Sequence, residues 1–395
     1  MTALARTAEP AAATPPRSRA WIPLFPTLWP SMMRPGTAAP MPFPFTDPGR
    51  RAFTFARYGI FAIAQALGLR GREVLFPAFF HCVELDALLA AGARIKFFHV
   101  GRDLQIDPDD IGRRVTSQTA ALYVIHYAGF PAPIRDLRQL CQERGLALIE
   151  DCAHALLSST AGEPLGSFGH GAVFSLPKSL PTPDGGVALM SNGWANIPDP
   201  RERPAHSWVA AHALSLMLSN LEMRKLPAAA PARSIGLRMG KAAFRASGRD
   251  YVPMGTPDFD LTQANTNISR LSQRILARQD FAAIATRRRA NYAYLLARLQ
   301  DIAPPIFGEL PVGVCPLFYP FRSDRREALF GALRDQGVEI GEFWPDNHFY
   351  GPNGEFPDAD VLRRTALWLP CHQDLGAEAL DSLVDAVRRA VAGVS

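Results

Sequence analysis

The feature that most constrains this chain is a series of short, almost uninterrupted apolar runs that recur between segments with helical spacing. EVLFPAF (73–79), ARIKFFHV (93–100), AALYVIHY (120–127) and LALIED (146–151) come first, and GAVFSLP (171–177) and GGVALMS (185–191) follow with only a short loop between them. A strand that is apolar on both faces must be covered on both faces, and the architecture that does this is a mainly parallel sheet with helices above and below. The expected class is therefore α/β: a mainly parallel sheet of the seven-stranded type, plus a small C-terminal α+β domain.

Punctuation in the chain suggests where the parts divide. Residues 1–45 read as a disordered tail and an N-terminal arm. The first twenty are rich in Ala, Pro and Arg and lack the continuous apolar core of a secretory signal. Residues 46–260 read as the large domain. Its pattern is interrupted at about 198–257 by a stretch dense in Ala, Arg and Pro, with a basic run from Arg224 to Arg249. A helical reading over about Thr262 to Leu299, with Ile268, Leu271 and Ile275 on one face, links it to a small domain within 261–395.

Composition narrows the function classes. A net charge of +5 over 395 residues, without a lysine-rich or aromatic-interleaved basic stripe, argues against nucleic acid as a partner. Five cysteines, odd in number and with no CxxC pair, argue against a disulfide framework or a structural metal site and fit a reducing cytoplasm. The most membrane-like run, Ala210 to Leu221, is too short to cross a bilayer, which takes roughly 20 apolar residues.

One set of residues suggests a cofactor aldehyde such as pyridoxal 5'-phosphate (PLP). That chemistry needs a lysine for the aldehyde, a carboxylate for the ring nitrogen, a phosphate cradle and a group stacked on the ring. Asp151 ends the buried strand LALIED, where such sheets present ligand groups, although an Asp there also commonly caps a following helix. Lys178 follows one strand later and is the sole lysine between Lys96 and Lys225; loop lysines are otherwise usually solvated. Ser175, on the same strand end, can donate to a phosphate oxygen.

The segment IEDCAHALLSSTAGEPLGSFGHGAVFSLPKSLPTPDGG resembles the DegT/DnrJ/StrS family pattern: an ED-x-A-[QH]-A box, G-S-F-G, an F-S strand, the lysine and a Gly-Gly pair. Further blocks before and after it extend the resemblance over nearly the whole chain after about Pro40. These are RYGIFAIAQALGLRGREVLFPAFFHCVELDALLAAGARIKFFHV, NTNISRLSQRILARQ and ALWLPCHQDLGAEALDSLVDAVRRA. The resemblance implies the fold type I architecture of PLP-dependent transferases. It implies Lys178 as the cofactor's lysine, Asp151 at the ring nitrogen, His154 beside the phenolic oxygen, Ala153 against the ring and Ser175 on the phosphate. Gly59 and Ile60 would lend backbone amides to the phosphate at a helix start. Asn265 would reach a neighbouring subunit's phosphate, which implies a homodimer.

The chain departs from the family pattern in three places. Ile60 and Phe61 stand where small or hydroxyl residues are usual, His81 stands at the ring-stacking position with Phe80 beside it, and the lysine follows Ser175 by fewer residues than usual. The expected function is transfer of an amino group from glutamate to a keto group of a nucleotide-linked sugar or similar polyol ketone, both small-molecule partners. The alternatives are a PLP-dependent sugar dehydratase or eliminase, against which Lys178 counts, and a non-catalytic binding module on the same fold. His126, ending AALYVIHY, reads more readily as a satisfied core histidine than as a catalyst. The loop Trp344–Gly354, with His348 and Tyr350, reads equally as a wall of the substrate pocket or as plain surface.

Overall fold

The computed structural model describes residues 21–33, 40–194, 197–226 and 259–394. The expected tail over the first twenty residues and nearly all of the basic run up to Arg249 lie outside them.

Seven strands form the main sheet: β1 (Arg50–Phe53), β2 (Glu73–Pro77), β3 (Arg94–Phe98), β4 (Thr119–Ile125), β5 (Ala147–Asp151), β8 (Gly171–Ser175) and β9 (Gly186–Met190). Their order is β1-β9-β8-β5-β4-β2-β3. Five of them, from β8 through β3, run parallel, and β9 is antiparallel to both of its neighbours. The expected α/β class and its mainly parallel sheet are what the chain adopts. β6 (Ser159–Thr160) and β7 (Glu163–Pro164) form a small separate ribbon.

The covering helices are α1 (Ala56–Ala66), α2 (Cys82–Ala90), α3 (Pro108–Arg114) and α4 (Ile134–Arg144). In α1 the absence of a side chain at Gly59 sets the packing, because a Cβ there would meet Ala188 Cβ at 2.9 Å and Val173 Cγ2 at 3.3 Å. The helix therefore lies directly on β8 and β9 and buries Ile63 against Gly171 of β8. α4 is apolar on one face at Ile134, Leu137 and Cys141 and ends at Gly145, whose φ of 64° provides the left-handed stop that glycine adopts without strain.

Lys178 sits on a single helical turn, α5 (Leu176–Ser179), placed directly after β8. Within the interruption at 198–257 the described part contains a helix, α6 (His206–Met223). The expected long helix of 262–299 is divided into α7 (Arg270–Leu276) and α8 (Phe281–Leu299). The cause is local: the side chains of Ser269 and Asp280 accept from Ser272 N–H at 3.1 Å and Ala283 N–H at 2.9 Å, so each helix has its own N-cap.

The rest of the chain forms α9 (Arg326–Asp335), α10 (Pro357–Thr365), α11 (Ala377–Val394) and a three-stranded antiparallel sheet. In that sheet β12 (Ala366–Pro370) lies between β10 (Phe318–Arg322) and β11 (Gly341–Glu342). A second core gathers here, in which Tyr292 and Leu295 of α8 meet Tyr319, Leu369 and Leu383. No described helix is long and apolar enough to cross a membrane.

Candidate active site

At the carboxyl ends of the parallel strands, residues from far apart in the sequence converge. Open α/β sheets bind their ligands at this edge, in the crevice outside the carboxyl ends of the strands. Asp151 is the last residue of β5 and is 2% exposed. Its Oδ1 accepts from Ala153 N–H at 2.8 Å and its Oδ2 from Tyr123 Oη at 2.7 Å. Burial raises its proton affinity above the ordinary carboxylate range, while the nearby Lys178 amine and these two donors pull it back. Asp151 does accept the local bond expected of a cap, yet no helix follows it, since Cys152 to Leu157 form turns.

Burial also lowers the proton affinity of Lys178, against the pull of Glu84 and Asp151, and the Arg57 guanidinium lowers it further. An amine held this way is more readily unprotonated, and so nucleophilic, than a solvated lysine. Ser175 precedes it at the N-cap position of α5 but makes no capping bond, which leaves its hydroxyl free of that duty.

His154 is buried, and its Nδ1 accepts from Ala128 N–H at 3.3 Å. Desolvation, and then the charges of Lys178 and His81, push its pKa well below the usual value. The ring is therefore neutral with its proton on Nε2, and that N–H is buried without a partner among the described residues. Trp344 and Phe343 lie against this ring at centroid distances of 5.4 and 5.9 Å.

Phe80 and His81 take opposite sides. Phe80 is fully buried and stacks on Phe97 at 5.7 Å and 13°, inside the core. His81 is half-buried and lies within reach of the charges of Lys178, Arg57 and Arg363, so it is His81 that faces the site. Burial first, and then those cations, lower its pKa to about 3, so its ring is uncharged at neutral pH.

The expected phosphate cradle is shifted along α1. Gly59 and Ile60 lie in the second turn, where Gly59 packs on the sheet and Ile60 is 2% exposed, in the core. The helix start itself is at Ala56 and Arg57, where Gly186 brings β9 so near that a Cβ would stand 2.4 Å from Ala56 N. Sequence reasoning missed Arg57, which is 7% exposed and lies close enough to shift the proton affinity of Lys178 and His81. It missed Glu84 as well, buried on α2 beside the same groups. The only signal for either was a charge on the apolar side of a helix.

Asn265 does not join this cluster within the chain. It is exposed, its Oδ1 accepts from Arg201 N–H at 3.1 Å, and its Nδ2 donates to Glu202 at 3.3 Å. His126 is a satisfied core residue: Nδ1 accepts from Ala132 N–H and Nε2 meets Glu150 at 3.1 Å. Glu150 also accepts the N–H groups of Gly166, Phe168 and Gly169, which is why the ED pair and the G-S-F-G turn occur together. Cys152 lies beside His126 and Glu150, but donors from the chain already occupy that carboxylate, so the trio is structural.

The donor set fits PLP. An unpartnered buried N–H at His154, a carboxylate at Asp151, a depressed lysine and the Arg57 guanidinium at the start of α1 suit the cofactor's oxygen, ring nitrogen, aldehyde and phosphate.

Comparison with known proteins agrees. Residues 56–195 match the model of the DegT/DnrJ/EryC1/StrS aminotransferase family. Over 132 residues the chain is 34% identical to GDP-perosamine synthase of Vibrio cholerae, a match spanning 32% of this chain and 36% of that protein. Over 343 residues it is 26% identical to the dTDP-4-dehydro-2,3,6-trideoxy-D-glucose 4-aminotransferase of Saccharopolyspora spinosa, spanning 84% of this chain and 82% of the other. Among solved structures, the PLP form of Spr1654 from Streptococcus pneumoniae superposes with a TM-score of 0.69 at 17% identity, covering 95% of this chain and all of that one. Over residues 56–195 the chain is thus similar to the DegT/DnrJ/EryC1/StrS aminotransferase family, whose aminotransferases depend on PLP.

Proposed function

We propose that this protein is a PLP-dependent aminotransferase of the DegT/DnrJ/EryC1/StrS kind, transferring an amino group from glutamate to a keto group on a nucleotide-linked sugar or a similar polyol ketone. The observation that carries the reading is the convergence of Lys178, Asp151 and the unpartnered His154 Nε2–H at one edge of the sheet. The substrate class is supported by the two relatives named for GDP- and dTDP-linked chemistry.

When bound, PLP supplies an electron-withdrawing ring that weakens the substrate's C–H bond. The chain does the rest. Lys178 would hold the cofactor through Nζ and, once the donor amine has displaced it, take a proton from the substrate carbon and return it. Its depressed proton affinity suits both the bonding and the proton transfer. Asp151, oriented by Tyr123 and Ala153, would hold the proton on the ring nitrogen. His154 would donate Nε2–H to the phenolic oxygen, Ser175 and Arg57 at the start of α1 would hold the phosphate, and His81 and Ala153 would pack against the ring.

The decisive experiment incubates the purified protein and PLP with glutamate and a panel of keto-sugar nucleotides and follows product mass. The expected result is a mass change for replacement of a keto oxygen by an amino group, together with formation of 2-oxoglutarate. Loss of water without amino transfer would identify the dehydratase alternative instead. We infer further that the working unit is a homodimer in the cytoplasm, supported by the exposed position of Asn265 on a surface separate from its own chain's cluster. An active monomer in sedimentation would overturn that.

A further inference from the structure

Glu84 has no role in the chemistry above, yet it is among the most constrained groups in the site. It lies one turn after His81 on α2, so the two side chains share a face of that helix. It is 4% exposed, and its Oε2 has no hydrogen-bond partner among the described residues. The His81 ring nitrogen lies 3.8 Å away, beyond hydrogen-bond range, and that ring is neutral. The charges near enough to act on Glu84 are those of Asp151 at the end of β5, Lys178 on α5 and Arg57 on α1, and the Glu84 charge acts in turn on Tyr123 and Tyr127, at and after β4.

The two carboxyls are treated unequally by their surroundings. Each oxygen of Asp151 accepts a donor from the chain, whereas Glu84 accepts none at Oε2. A buried carboxylate without donors is expensive, and a buried neutral acid much less so. Resting on the reading of this site as a PLP site, we propose that Glu84 and Asp151 form a two-carboxyl unit that holds one proton in the cofactor-free protein, Asp151 charged and Glu84 neutral, with Glu84 the positioning residue that sets the charge offered to the ring nitrogen. Burial, and then the Asp151 charge, push the Glu84 pKa up to about 8, while Lys178, the residue's own backbone N–H and Arg57 pull the other way. A cation arriving at Asp151 removes part of that repulsion, and Glu84 then releases its proton to solvent and becomes a carboxylate.

Two measurements on the full chain test this, one without cofactor. The folded pKa of about 8 lies above the ordinary 4.5, so the stability contributed by neutral Glu84 is complete below pH 4.5 and lost as pH rises through 8. Melting temperatures of cofactor-free wild type and Glu84→Gln should agree near pH 4.5 and separate by pH 8, with the glutamine variant melting higher. Parallel curves over that window would overturn the proposal. Should the variant not fold, infrared spectra of the wild type serve instead: a protonated-carboxyl band present at pH 6 and lost by pH 9 supports the proposal, and its absence at pH 6 overturns it.

The second measurement is calorimetric titration with PLP at pH 7 in buffers of different ionisation enthalpy. Wild type should release up to about one more proton per site than Glu84→Gln. Equal release by the two would overturn the link to Asp151. If neither chain binds PLP, the site reading fails, and the cofactor-free arm still decides whether Glu84 holds a proton.

Discussion

Tyr123 donates its phenolic proton to Oδ2 of Asp151 across 2.7 Å, and neither side chain reaches solvent. The two residues sit on adjacent parallel strands, β4 and β5. The bond holds the carboxylate in one orientation and lowers its proton affinity, opposing the effect of burial. The tyrosine itself is pushed well above its usual pKa, so it remains a donor throughout the working range.

Tyr123→Phe should therefore fold, keep PLP and turn over more slowly. A hydrogen bond to a charged group is worth about 1.5–3 kcal/mol, and each 1.36 kcal/mol is tenfold, so kcat should fall roughly 10- to 100-fold. Because the lost donor had favoured the charged form of Asp151, the acid limb of the rate profile should move to higher pH. An unchanged limb would mean that the tyrosine does not act through Asp151.

Lys178 is the residue expected to carry the cofactor. Reduction of the PLP-loaded protein with borohydride, followed by peptide mapping, should place the pyridoxyl group on Lys178, and Lys178→Ala should lose both the visible absorbance and the activity. Its depressed proton affinity comes chiefly from burial, so attachment should persist toward neutral pH, where a solvated lysine would be almost wholly protonated. Labelling at any other lysine would remove the assignment.

How much of this could be read in advance depends on where each residue lies. Asp151 and Lys178 follow buried strands, and strand ends are legible because the apolar runs mark them. The register at 80–81 was open in the sequence and is decided by packing, since Phe80 stacks on Phe97 in the core and so turns His81 outward. Arg57 and Glu84 stayed hidden because a single charge in a helix usually faces water. Only the seating of α1 on β9, allowed by Gly59 and Gly186, and of α2 beside it turns those two side chains inward. The split between α7 and α8 was missed because the apolar spacing continues across it and the caps at Ser269 and Asp280 are local.

The position of Arg57 leads to a measurement. If it stands where the cofactor's phosphate binds, a charge-assisted hydrogen bond of about 1.5–3 kcal/mol is lost on truncation. Arg57→Ala should weaken PLP affinity about 10- to 100-fold, as read by absorbance titration, and added salt should weaken wild type more than the variant. Since this guanidinium also depresses Lys178, the lysine's apparent pKa should rise in the variant. Affinity equal to wild type would return the phosphate to backbone amides and Ser175.

Arg363 joins the two sheets at the mouth of the site. From α10 it donates to the carbonyls of Ala78 and Phe80, which lead to His81, and to those of Trp344 and Asp346, which lead away from β11. It is 6% exposed and lies over the Phe79 and Phe80 rings, so burial is offset by four acceptors and two aromatic faces. Trp344, held in this way, keeps a φ of 52°, a left-handed conformation that a tryptophan rarely adopts, and closes over His154 and His81. Arg363→Ala leaves four carbonyls short of a donor and should cost about 3–5 kcal/mol, the range for removing one member of a buried polar network. Arg363→Lys keeps the charge but cannot fork among four acceptors, so most of the loss should remain. Chemical denaturation of both variants measures the loss. Their steady-state kinetics should show KM rising more than kcat falls, because the freed segment shapes the mouth of the site and leaves Lys178 and Asp151 in place. A lysine variant as stable as wild type would mean that charge alone, and not the four-way fork, holds the two sheets together.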